Sequence, residues 1–527
     1  MALVLRDLTL DILTDEETLP REAARQLAVD VDELTGFRIV KRSIDARKKS
    51  RIRKIYTVEF SFADEAALLQ RHGSGQLEKV PDAPELMLPR VAADHHVLVV
   101  GTGPAGLFAA KRLAESGMRV TLVERGRPLE QRVKDVENFW TFGQFDAVSN
   151  VQFGEGGAGT FSDGKLTTRS NHPQRLVVLE TLVAYGAPED VLIEARPHVG
   201  TDRLRNVVVN FRKHLIKLGV DVRFETCLTD IEIHNGRIVA GIFNCQDLLP
   251  CDSLVLAPGH SARDTYLMLE RHNIQLDAKG FAVGVRVEHP AELINRIQYG
   301  EFANQLPAAD YALRYHDTET GRGIYSFCMC PGGEVINAAS EADGLVVNGM
   351  SRMARAGKYS NSALVVTVGP KDWGETTLGG MHFQQHWEHR AFTAAGGGFM
   401  APAQNMMNFV GRGKGPVTSS CRPGVAETEL REVLPDFVYH GLHHALPHFD
   451  RKMKGFMTAE AVLIGVETRT SAPLRITRNS SGESVSHPGL FPAGEGAGYA
   501  GGIVSAALDG LRAADQVIQS VQVRSHF

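Results

Sequence analysis

The sequence predicts an α/β protein: a parallel-sheet unit assembled from two separated stretches of chain, a mixed α+β region between them, and a small α+β module in front. Three observations carry this. A strand, a glycine loop, a helix and a second strand follow one another over residues 95–125. The last 70 residues return to strand, glycine loop and long helix. Glycine supplies 52 of 527 residues, about one in ten against an average near 7%, and the surplus is concentrated: 101–106, 154–164 and 494–502 hold three, five and five. Surplus glycine marks turns, or backbone that must approach something closely.

Composition narrows the class. Hydrophobic residues are 43% and charged residues 23%, which excludes disorder and collagen-like repeats. The net charge of −5 exerts no global pull toward nucleic acid or membrane. Six cysteines in a chain of this length form no disulfide framework and imply a reducing compartment. The opening MALVLRDLTLDILTDEE places acids where a signal peptide needs an apolar run, and no stretch approaches 18 apolar residues. A cytoplasmic protein without membrane contact is the expectation.

The expected organisation has three parts. Residues 1–88 form the front module, with LTLDIL and KIYTVEFSF reading as strands and PREAARQLAV and ADEAALLQRHG as short helices. A proline-bearing linker, LEKVPDAPELMLPR, follows. Residues 92–265 and 456–527 together make the parallel-sheet unit. Within them a hairpin is expected around Asn235-Gly236, a buried strand at SLVLAPG, and a final helix over 503–520. Residues 266–455 are the inserted region, rich in short strands, with a helix near 382–395.

The pattern GxGxxG occurs three times, so context must decide its meaning. At Gly101, Gly103 and Gly106 an apolar strand precedes it, an alanine-rich helix follows, and the next strand ends in Glu124, 23 residues after Gly101. That is the Rossmann-like dinucleotide fingerprint. The first glycine permits the turn, the second lets pyrophosphate reach the backbone, and the third lets helix and sheet pack. The helix start offers unpaired N–H groups to phosphate, and Glu124 is placed to accept ribose hydroxyls. The second match, Gly154, Gly156 and Gly159, has neither clear strand nor clear helix and reads as a loop pressed against a ligand or simply a tight loop. The third, Gly496, Gly498 and Gly501, opens the final helix and suits an N-terminus aimed at another part of the same ligand.

Together these elements resemble the flavoproteins with a glutathione-reductase-type FAD domain. FGEGGAGTFSDGKL, PHVGTD, APGHSARDT, GVRVEHP, YSFCMCPGGEVINA, VNGMS, GVETRTSAP and PAGEGAGYAGGIVSAALDG are similar to the bacterial "FAD-dependent protein" or "FAD-dependent dehydrogenase" family over roughly residues 95–515. The family's substrate is not established. The resemblance implies FAD as cofactor. It implies pyrophosphate contacts from Gly101, Gly103, Pro104, Ala105 and Gly106, with Glu124 and Arg125 on the adenosine side and Leu228 at adenine. It places Gly159, Thr160 and Lys165 along the cofactor and Ala257 and Gly259 at the middle strand end, where Pro258 replaces the usual threonine. Gly494 and Glu495 fall at the ribityl chain, and Gly501, Gly502 and Ile503 at the flavin's pyrimidine edge.

Outside the cofactor set, Glu467 and Arg469 in GVETRTS are the candidate catalytic pair, either as acid–base and anion-holding groups or as a buried ion pair. Arg286, Glu288 and His289 read as a strand-end network or as part of the pocket lining. Cys328 and Cys330 are expected on one side of a strand, as packing thiols or, alternatively, with a reactive thiol near the flavin. The clusters His382, His386, His389 and His440, His443, His444, His448 lack a metal-site pattern, and no metal is expected. Residues Lys41–Lys54 hold eight basic residues and one acid, a solvated hairpin or a contact for RNA or an acidic protein.

The expected function is an FAD-dependent oxidoreductase acting on a small molecule held by the inserted region. Only one strand–GxGxxG–helix–strand–acid unit is present, so NADH or NADPH, if used, visits the substrate face transiently. The alternatives are a flavin-dependent RNA-modifying enzyme and a non-catalytic flavoprotein sensor or assembly factor.

Overall fold

The computed structural model describes residues 2–73, 75–80, 90–91, 94–168 and 172–524. Most of the expected linker, 81–89, lies outside them.

The front module runs strand, helix, strand, strand, helix, strand: Ala2–Asp11, Leu19–Leu27, Thr35–Asp45, Arg53–Ser61, Glu65–His72 and Leu77–Lys79. Every strand pairing is antiparallel: Arg53–Ser61 lies beside Ala2–Asp11 with Thr35–Asp45 outside it, and Leu77–Lys79 pairs on the other edge of Ala2–Asp11. This is the ferredoxin-like arrangement. Leu3, Leu5, Leu8 and Leu10 face the helices with Tyr56, Val58 and Phe60, while a bulge at Leu5/Leu8 preserves the alternation. Strand Thr35–Asp45 ends in the expected solvated hairpin at Lys41–Lys54, but its reach back to Thr35 was not expected, because it is half-exposed with no clean period of two.

The parallel sheet has five strands. His96–Val100 lies at the centre, with Arg119–Val123 and Asp221–Arg223 on one side and Ser253–Leu256 and Leu490–Pro492 on the other. Numbered along the chain, the order is 3-2-1-4-5, with helices packed on one face and the antiparallel hairpin sheet on the other. Helices Pro104–Glu115 and Ile503–Arg524 pack on it side by side. They approach so closely that a Cβ on Gly510 would sit 2.0 Å from the carbonyl oxygen of Ala105. The expected hairpin is present as Leu228–His234 and Arg237–Phe243, with Asn235 and Gly236 both at positive φ, and Asp247–Pro250 adds a third strand.

The inserted region is built on a seven-stranded mixed sheet. Its central strands, Phe281–Pro290, Tyr359–Val368 and Val462–Glu467, are almost wholly buried. Val283, Val285, Val287, Leu364 and Val366 pack with helix Asp436–Lys452 on one face. The expected boundary at residue 455 is corrected: Val462–Glu467 pairs with Phe281–Pro290 and with Ala401–Asn405, so the sheet reclaims the chain after that point. An apolar strand in sequence does not declare which sheet it joins. Where the chain leaves and re-enters the parallel-sheet unit, Leu276–Ala278 and Leu474–Ile476 pair as a two-stranded link.

Gly510→Ala is expected to destabilise the protein by about 1–3 kcal/mol through overpacking of the two helices. A shift of the urea midpoint measures it, and an unchanged midpoint would contradict this packing.

Candidate functional site

In an open parallel sheet, ligands bind beyond the carboxyl ends of the strands, where the strand order reverses. Here that point lies between His96–Val100 and Ser253–Leu256. A cavity of about 1470 Å³ opens there, above the roughly 300–1,000 Å³ of an ordinary small-ligand pocket. The four strand ends that border it contribute Gly101, Glu124, Ala257–Gly259 and Ala493–Glu495. From there it runs over the second glycine loop and the start of helix Ile503–Arg524. It continues to the outer strands of the seven-stranded sheet, Arg314–His316 and Gly323–Cys330.

Most of the expected cofactor residues line this one cavity: Gly101, Gly103, Pro104 and Ala105, Glu124 and Arg125, Gly159 and Lys165, Leu228, Ala257 and Gly259, Gly494 and Glu495, and Gly501–Ile503. Gly106 and Thr160 do not reach it. Gly106 lies beneath, where a Cβ would stand 1.8 Å from the Gly101 carbonyl oxygen, so its work is helix-to-turn packing. Thr160 is fully buried and points its hydroxyl at the Glu155 carbonyl.

Glycines at the site fall into two groups. At Gly101, Gly494 and Gly496 a Cβ would collide with Ala257, Ala105 and Gly259 respectively. Protein packing alone demands these glycines. At Gly103, Gly259, Gly501 and Gly502 a Cβ would meet no protein atom within 4 Å, yet all four line the cavity. Gly259 has φ +76°, which itself favours glycine; at Gly103, Gly501 and Gly502, open space beside a helix start without a side chain is what a close-fitting ligand needs. Neither helix Pro104–Glu115 nor helix Ile503–Arg524 carries an acid in its first turn, so both positive ends remain available to an anionic group.

Two buried side chains shape the loops. Glu124 accepts four hydrogen bonds, from Thr102 N at 3.0 Å, Thr102 Oγ1 at 2.7 Å, Gly126 N at 3.0 Å and Gly154 N at 3.0 Å. It thereby joins the first glycine loop to the second. Arg132, which sequence reading missed, donates to the carbonyls of Asn150, Val151, Gly154, Glu155 and Gly157. Burial holds its guanidinium down to about 10. Arg125 stacks 4.4 Å from the Phe153 ring centroid and pairs with Asp264.

The catalytic candidates sit in buried ion-pair networks on the cavity wall. Glu467 receives Arg286 Nε at 2.7 Å and Nη2 at 3.2 Å. Arg469 donates to both Glu388 oxygens, at 3.0 and 2.6 Å, and through Nη1 to Ser261 and Ser340. Arg263 grips the same Glu388 and also Glu341. Despite burial, the two arginines hold the Glu388 carboxyl down at about 2. The cavity-lining His260 is pushed down to about 4 by burial and by Arg469 and Arg263. Glu288 and His289 lie away from the cavity, bonded to Ser420 and to the Phe456 carbonyl. Lys165 donates to the Met329 carbonyl and pairs with Asp163, which Arg355 also holds.

The thiol expectation is corrected. A register break between Phe327 and Cys330, with Cys328 at φ +42°, turns Cys328 outward to the cavity while Cys330 stays buried against Arg286. In the segment Lys41–Lys54, Arg42 pairs with Glu16, Asp190 and Glu194, and its backbone bridges to Ile193 and Ala195. It fastens the front module to the parallel-sheet unit. Lys41, Arg47, Lys48, Lys49 and Arg51 remain exposed.

Glu495 faces the cavity and accepts no side-chain hydrogen bond among the described residues. Burial pushes its carboxyl up to about 7, opposed by Lys279. A carboxyl raised in the fold costs stability as pH rises from its unfolded value toward its folded one. Glu495→Gln should therefore stabilise the flavin-free protein by up to roughly 3 kcal/mol at pH 8, with the gain shrinking toward pH 5. Denaturation midpoints at the two pH values test this; an equal gain at both would contradict it.

Among the described residues, no helix is long and apolar enough to cross a membrane. Residues 94–135 match the family described as "FAD binding domain", and residues 280–470 match "FAD-dependent protein, C-terminal domain-like". Residues 5–61 match a domain of unknown function. An L-amino-acid oxidase of Siganus canaliculatus is 45% identical over 51 residues, 10% of either chain. The solved halogenase PltM aligns with 82% of this chain and 70% of its own at 9% identity, with a TM-score of 0.39. An uncharacterized protein of Clostridium beijerinckii is 44% identical over 528 residues, spanning 98% of this chain and 99% of its own. The chain belongs to the same family as that Clostridium protein, a family of FAD-dependent proteins.

Proposed function

We propose that the protein is an FAD-dependent oxidoreductase with a glutathione-reductase-type cofactor domain, acting on a small molecule held against the inserted sheet. The observation that carries this is the second group of glycines. Gly103, Gly501 and Gly502 have neither a packing clash nor a positive φ to require glycine, and all three face one cavity at the sheet's switch point.

In this reading the N–H groups at the start of helix Pro104–Glu115 take the pyrophosphate, and Arg125 with Leu228 brackets the adenosine. Glu495 holds a ribityl hydroxyl. Helix Ile503–Arg524 presents its N-terminus to the pyrimidine edge of the ring, favouring negative charge there. Bound FAD supplies the electron or hydride transfer; the protein supplies position and field. Arg469 is held rigid by Glu388, Ser261 and Ser340, and so orients whatever lies beside it. Glu467, neutralised by Arg286, adds little net charge to the substrate face.

The RNA-modifying alternative is less favoured. Tyr56 and Phe60 of the front module are buried beneath its helices and offer no stacking platform, and Arg42 is spent on intramolecular pairs. A docking role for the exposed basic tip, toward an acidic protein, remains compatible with the fold.

Purified protein is expected to carry FAD, or to take it up, with a flavin absorbance band. Gly103→Ala should weaken FAD binding by at least tenfold while leaving the urea midpoint of the flavin-free protein unchanged. Equal binding by the variant would overturn the placement of the cofactor. Anaerobic NADH or NADPH, or a metabolite panel, should bleach the flavin band. FAD binding with no bleaching by any donor would favour the non-catalytic alternative.

A further inference from the structure

The cavity is longer than a cofactor site at the switch point requires, and its outer end has its own chemistry. Tyr325 and Phe327 stand two residues apart on strand Gly323–Cys330, so their side chains share one face. Both rest on Ala282, Ala363 and Val365, and both remain half-exposed where they line the cavity. Arg314 pairs directly opposite Tyr325 across the antiparallel ladder, on that same face. Its side chain is exposed, lines the cavity, and has no hydrogen bond or ion pair among the described residues.

The surroundings leave that cation uncompensated. Lys452 donates to the Arg314 carbonyl, adding a second positive charge. Of the nearby acids, Asp310 is paired with Arg196, and Asp317 is buried and accepts from Glu319 N and Thr320 Oγ1. The strand is also held in place. Tyr315 stacks on His448, at 4.2 Å between centroids, and Ser326 Oγ accepts from Leu313 N. Elsewhere on the cavity wall, the arginines Arg125 and Arg469 and the acids Asp163 and Glu467 already have partners.

We infer that the outer end of the cavity is a substrate subsite for a planar aromatic or apolar carboxylate: the ring lies along Tyr325 and Phe327, and the anionic group is held by Arg314. An aromatic face next to a free guanidinium is complementary to a ring bearing a negative charge. The subsite opens into the same cavity as the glycine loops, so a ring bound there extends toward the flavin. The inference rests on the flavoenzyme reading and names the substrate class for it; Arg314 is the specificity-determining residue.

The test uses the FAD-loaded full-length protein, with flavin content fixed by absorbance before each titration. 2-Naphthoate and its neutral analogue 2-naphthamide are titrated while flavin difference spectra are recorded. The expected result is binding of naphthoate at least tenfold tighter than naphthamide. Arg314→Gln should abolish that preference while leaving naphthamide binding and flavin content unchanged. Tyr325→Ala together with Phe327→Ala should weaken both probes. Equal affinity for acid and amide, an unchanged preference in Arg314→Gln, or no binding of either probe to flavin-loaded protein would overturn the subsite. A protein that takes up no FAD would instead overturn the flavoenzyme reading on which it stands.

Discussion

The structure depends on backbone packed directly against backbone at the carboxyl ends of the parallel strands. Gly101 abuts Ala257, Gly126 abuts Gly154, Gly157 abuts Gly103, and Gly496 abuts Gly259. Each contact joins segments far apart in sequence, and most leave no room for a Cβ. The contacts are secured by two charged groups that spend their hydrogen-bonding capacity on loop backbone. Glu124 accepts N–H groups from both of the first two glycine loops, and Arg132 donates to three carbonyls of the second and two just before it. A buried carboxylate and a buried guanidinium are tolerated because backbone dipoles replace the water each has lost.

That constraint explains where the site lies and why the insertion is compatible with it. The seven-stranded sheet meets the parallel sheet across the cavity, and buried ion pairs hold the approach. Arg263, on the parallel-sheet side just before the insertion, and Arg469, at the insertion's end, share Glu388 from a helix in its middle. Arg286 and Glu467 pair across adjacent strands below the cavity. Removing one member of such a network leaves an uncompensated charge. The Arg263–Glu388–Arg469 cluster therefore ties the parallel-sheet side to the insertion, while Arg286–Glu467 braces the seven-stranded sheet from within.

Much of this was legible in the sequence, for a physical reason. Gly101, Gly103, Gly106 and Glu124 form a local pattern with a strand before and a helix after, and local patterns survive in one dimension. The convergence of the loops at 101, 154 and 494 could be read from glycine surplus, because close approach restricts residue type. The roles of Gly106 and Thr160 were less legible, since motif membership does not say which side of the backbone faces a ligand. Arg132 was invisible: its partners are main-chain carbonyls, which have no sequence signature. Helix Asp436–Lys452 was hidden by an internal proline and by histidines that read as a cluster. The outward turn at Cys328 comes from a bulge, which shifts the alternation without changing composition. The subsite at Arg314 needed the cross-strand register, which only the fold supplies.

Three glycine loops and the inserted sheet are proposed to enclose one site for FAD and its substrate. A crystal structure of the FAD-loaded protein is the test. The expected result is pyrophosphate at the start of helix Pro104–Glu115, and the flavin ring against Gly501–Ile503 with its open face toward Tyr325 and Phe327. Flavin bound outside this cavity, or a ring whose open face is turned away from the seven-stranded sheet, would contradict it.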